Sequence, residues 1–68
     1  MSDFSRFVRI ACAEHKIHQY ILAREARIEQ SKMSRIANGH IVPTPDEQKR
    51  ILDAIERLKA WRMQNPYA

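Results

Sequence analysis

Polar and basic side chains crowd one stretch of this chain in a pattern suited to contact with nucleic acid. Between residues 16 and 40 stand Lys16, Arg24, Arg27, Lys32 and Arg35 against Glu25 and Glu29, a local balance of +3 within a net charge of +4 for 68 residues. Interleaved with them are Gln30, Ser31 and Ser34. A guanidinium can bond guanine O6 and N7 in bidentate fashion, a carboxamide can do the same to adenine, and a serine hydroxyl adapts to either. Neighbouring basic groups can bond phosphates, which fixes position without reading sequence. Other chemistry has less to work with. Cys12, His15 and His18 recur at spacings of three. Cys12 falls on an apolar stripe, a helix should end before His18, and no fourth ligand is near in sequence, so no metal is expected. There is no Gly-rich phosphate loop, no nucleophile beside a base and no carboxylate pair in a plausible cleft, which argues against an enzyme.

Such side chains need rigid elements behind them, and the composition offers helices. One glycine, three prolines and few β-branched or aromatic runs leave little material for strands, while Ala, Leu, Ile, Arg, Lys, Glu and Gln dominate. A domain of this length buries only about 60% of the surface its unfolded chain exposes, which favours a small helical binding module over an enzyme with a deep cleft. No run approaches the roughly 20 apolar residues of a membrane span, and Met1-Ser2-Asp3 lacks the layout of a signal peptide. A cytoplasmic protein is expected. The single Cys12 permits no internal disulfide, which fits a reducing compartment. The pI of about 9.7 agrees with an anionic partner.

Along the chain, Asp3 can cap a first helix with Phe4, Phe7, Val8, Ala11 and Cys12 inward and Arg6, Arg9 and Glu14 outward, ending near His15 or Lys16. A second helix over 19–26 buries Leu22, Ala23 and Ala26, and a third over about 29–37 buries Met33 and Ile36. Asn38-Gly39 is a stop, because both residues tolerate left-handed backbone. Thr44-Pro45-Asp46-Glu47 combines a cap, a first-turn proline and an acidic third position. The helix it opens, about 45–64, should carry Ile51, Leu52, Ala54, Ile55, Leu58 and Trp61 inward and fray by Asn65-Pro66. At 100° per residue, Met33, Ile36 and Ala37 share the inner side of the third helix, so Gln30, Ser31, Ser34 and Arg35 point outward with Lys32 on the flank.

Two short helices can hold the second in a major groove only if their contact is close and the joint rigid. Counting from Gln19, the segment QYILAREARIEQSKMSRIAN has small Ala23 at its fifth position. Leu22, Ala26, Ile28, Met33 and Ile36 stand at the fourth, eighth, tenth, fifteenth and eighteenth. With these residues the chain resembles the Cro/C1-type helix-turn-helix family of phage repressors, Cro proteins and small bacterial regulators. The match rests on Gln19, Leu22-Ala23, Ile28, Met33-Ser34-Arg35-Ile36, Asn38-Gly39 and Pro43, and it spans roughly residues 5 to 58. Arg27 stands at the turn where such motifs often have glycine, at a cost on the order of 1 kcal/mol if its backbone is left-handed.

The resemblance implies an all-α, compact, lambda repressor-like DNA-binding domain of four to five helices over residues 1–68, with helix 29–37 in the major groove. It makes Gln30, Ser31 and Ser34 the base contacts, with Arg35 deeper along the helix, and makes Gln19 and Asn38 phosphate contacts. Charge and proximity add Lys16, His18, Arg27 and Lys32 as phosphate candidates, and His40 follows in the loop. The expected partner is a double-stranded, palindromic DNA operator read by a homodimer, with two reader helices about 34 Å apart. Ile41, Val42, Trp61 and Tyr67 are the candidate dimer residues. Neither cofactor nor small-molecule ligand is expected. The economy resembles small phage or prophage repressors. Two further readings stand beside it: an antitoxin-like or adaptor protein that binds a partner protein, and a non-specific nucleic-acid or RNA binder. The latter lacks a stacking platform, Tyr20 being the one aromatic in the basic segment.

Overall fold

The computed structural model describes residues 3–64. These form four helices and no strand: α1 Asp3–Glu14, α2 Gln19–Ala26, α3 Gln30–Ala37 and α4 Pro45–Gln64. The expectation of four to five helices resolves to four among the described residues, because α4 runs unbroken for 20 residues. Tyr67 and the fraying expected at Asn65-Pro66 lie outside the described residues. Among those described, no helix is long and apolar enough to cross a membrane.

Within the described residues α1 runs from Asp3, whose carboxylate suits the positive end of the helix dipole. Its inward stripe is Ser5, Val8 and Ala11, flanked by the partly buried Phe4 and Cys12. Phe7, which the spacing predicts inward, is 46% exposed. It lies about 100° around the helix from Val8, beyond the reach of the core, and its ring leans on Phe4 at 6.4 Å. The position is taken by Ser5, whose hydroxyl donates to the Ala37 carbonyl at 2.7 Å and so ties α1 to the end of α3. Lys16 closes α1 with a left-handed backbone (φ 54°), and the Ile17 amide reaches back to the Cys12 carbonyl at 2.9 Å.

The limits of α2 coincide with the reading of the sequence. α3 starts one residue later than expected, because Glu29 stands at its N-cap with extended ψ. It ends through Gly39, which alone of the Asn38-Gly39 pair takes positive φ (78°), and the His40 amide bonds the Arg35 carbonyl at 2.9 Å. At the head of α4 the capping box is complete: the Glu47 amide donates to Thr44 Oγ1 at 3.1 Å, and the Thr44 amide donates to Glu47 Oε1 at 2.9 Å.

α2 packs between α3 and α4, and α1 packs on α3. Leu22, Met33, Ile36, Ile51 and Val8 are wholly buried at this junction, with Ala23, Ala26, Ala37 and Ala54 letting the backbones approach. In α4, Ile51, Ala54 and Ile55 face inward and Leu58 is partly covered. Leu52 and Trp61, both expected inward, are exposed. Leu52 falls 100° from Ile51, and Trp61 lies in the half of α4 that runs past the end of the core.

Candidate nucleic-acid interface

The joint between α2 and α3 is built from three residues, 27–29. Arg27 occupies the left-handed region (φ 58°, ψ 45°) and its amide bonds back to α2, while the Ile28 amide donates to the Ala23 carbonyl at 2.9 Å. That pattern satisfies helix-end carbonyls otherwise left without partners. Ile28 then drops into the core, which fixes the direction in which α3 leaves. Two arginines of α4 hold the joint from outside: Arg50 Nη1 donates to the Arg27 carbonyl at 3.1 Å and Arg57 Nη2 to the Glu25 carbonyl at 3.0 Å. Arg57 also pairs with the Glu25 carboxylate at 3.7 Å, and Arg50 Nε with Asp46 at 3.2 Å.

α3 itself is sharply two-sided. Met33, Ile36 and Ala37 are fully buried, while Gln30, Ser31 and Arg35 are exposed. Ser31 Oγ donates to Glu29 Oε1 at 2.6 Å, which draws the carboxylate over the first turn of the helix. Ser34 is half-buried rather than fully outward, because the Asn38 side chain leans over it, Nδ2 to Oγ 3.5 Å. The exposed positions thus carry one guanidinium, one carboxamide and one hydroxyl along a face of two turns.

Lys32 sits on the flank as the spacing predicts, with its ammonium bound by Glu47 Oε2 at 2.5 Å. Glu47 therefore serves two elements, one oxygen capping α4 and the other holding α3. The hydrogen bond from Lys32, and then that from the Thr44 amide, keep its carboxyl below the usual carboxylate range despite burial. The sequence discloses the capping box but not this second use. Nor does it disclose Arg50 and Arg57 at the joint, since their carbonyl partners lie 23 and 32 residues away.

The remaining phosphate candidates surround α2 and α3. Gln19, Arg27, Asn38 and His40 are exposed, as are Lys16 and His18 ahead of α2. The His18 ring stacks on Tyr20 at 5.6 Å and its backbone caps α2. Of the candidate dimer residues, Ile41 is half-buried against the core, whereas Val42 (77%) and Trp61 (50%) are exposed. Burial pushes the Cys12 thiol up. Trp61 borders an open cleft of about 470 Å³ between α2 and α4, floored by Ile17, Ile21 and Leu58. Comparison of the chain with models of known protein families, with curated proteins and with solved structures finds no match.

Proposed function

We propose that this protein is a sequence-specific DNA-binding transcriptional regulator, with α2, residues 27–29 and α3 as a helix-turn-helix of the lambda repressor-like kind and α3 as the helix that enters the major groove. The observation that carries the reading is the division of α3: three apolar residues wholly buried against a joint locked from both sides, and Gln30, Ser31 and Arg35 exposed, with Ser31 bonded to the neighbouring Glu29 carboxylate. Helix-borne side chains held that firmly can discriminate base edges. Lys16, His18, Gln19, Arg27, Lys32, Asn38 and His40 supply phosphate contacts around them. A homodimer on a palindromic operator follows from the few bases one reader helix can cover, and repression in the cytoplasm by occupancy is the simplest output.

Selection of bound sequences from a random duplex library tests this directly. Enrichment of an inverted repeat whose half-site centres lie about one helical turn apart is the expected result. Absence of enrichment overturns the reading in favour of an adaptor or antitoxin-like protein. That second reading has its own support in the cleft beside Trp61, and recovery of a stoichiometric partner protein would establish it.

A further inference from the structure

α1 carries a face that the fold does not use. With Ser5, Val8 and Ala11 inward, the opposite side centres on Ile10, which is 50% exposed. Around it stand Arg6, Phe7, Ala13 and Glu14, all exposed. Arg6 and Glu14 have no ion-pair partner among the described residues. A shallow hollow lined by Arg6, Arg9, Ile10 and Ala13 lies to one side.

The arrangement is self-complementary when reversed. Arg6 lies four residues before Ile10 and Glu14 four after, while bulky Phe7 lies three before and small Ala13 three after. With a rise of 1.5 Å per residue, the two charges stand about 6 Å on either side of Ile10. Turned end for end about a two-fold axis at Ile10, a second α1 brings its Glu14 level with Arg6 and its Ala13 level with Phe7. Each favourable pair then occurs twice, as in any isologous contact. The face is also neutral, Arg6 and Arg9 balancing Asp3 and Glu14, in a chain whose net charge is +4. Two copies meet there without the repulsion they would feel across residues 16–40.

We propose that α1 is a self-association surface on which a second copy of this chain packs antiparallel about Ile10, with Arg6 of each copy paired to Glu14 of the other. One pair of 12-residue helices buries less than the roughly 1,200 Å² of a standard interface, so the dimer is weak on its own and tightens only when a second ligand holds both copies. The proposal rests on the operator reading for its use, but it is measured without DNA.

Sedimentation equilibrium of the full chain, from about 10 µM to about 1 mM at low salt, supplies the test. The average mass should climb from 8.0 kDa toward twice that value. Arg6→Glu and Glu14→Arg should each weaken association roughly tenfold, and the double reversal should restore it, because it rebuilds the pairs with opposite polarity. Ile10→Asp should abolish it, with circular dichroism showing the helices intact. A chain monomeric throughout, single reversals without effect, or a double reversal that fails to restore dimers each overturn the surface. Any of these alongside a selected inverted repeat would leave the operator reading standing; dimers without sequence selection would do the opposite.

Discussion

Arg27 joins two demands that pull against each other. Its left-handed backbone costs on the order of 1 kcal/mol for any residue with a Cβ, while its exposed guanidinium is a phosphate candidate. Arg27→Gly should therefore raise stability toward urea by up to about 1 kcal/mol. It should also lower DNA affinity for all sequences and reduce the salt slope by about 1. A gain in stability with unchanged binding would remove Arg27 from the interface. Gln30 and Arg35 should behave otherwise: alanine at either ought to relax preference at one base position, costing about 1–3 kcal/mol there and little elsewhere. Library selection with each variant reads this out. Glu47 links stability to pH. Its folded-state pKa lies below the ordinary value of about 4.3, so its contribution is whole above that value and is lost as pH falls through the lower, folded-state one. Thermal melts should show Glu47→Gln less stable than the parent at pH 7, with the gap closing in strong acid.

At the scale of elements, the joint depends on Ala23, only 2% exposed where α2 meets its neighbours. Ala23→Leu should cost about 1–3 kcal/mol by overpacking and abolish sequence selection at temperatures where the chain still folds. Ser5→Ala, which leaves the Ala37 carbonyl without its buried donor, should cost about 1–3 kcal/mol in a denaturant melt. These two positions also mark what a sequence can and cannot disclose. Ala23 is legible because a close joint between two helices needs a small residue at that place in the segment, while α2 and the capping box of α4 are legible because their partners lie within a turn. The outward set of α3 follows from periodicity, and only Ser34 departs from it, through Asn38 one turn later. Ser5 is not legible, because its polar side chain is buried by a carbonyl 32 residues away. Apolar periodicity alone would place Phe7 in its stead. Lys16 is hidden for a related reason, since nothing in a lysine announces left-handed backbone.

For the molecule as a whole, charge is divided by face. The excess sits around α2 and α3, and α1 is balanced, so binding to duplex DNA should vary steeply with salt while any pairing of copies through α1 should not involve the basic surface. If Lys16, Arg27 and Lys32 each neutralise one phosphate, the plot of log affinity against log salt should fall with a slope of about −2.7 per copy. A slope near zero would dismiss all three. The bareness of Gln30, Ser31 and Arg35 on α3 has one more consequence. No part of the core leans on them, so under the proposed function their replacement should change an address without disturbing the house. A duplicated gene could drift at these three codons toward a new target while its product stays folded, and a designer could follow the same route by randomising them alone.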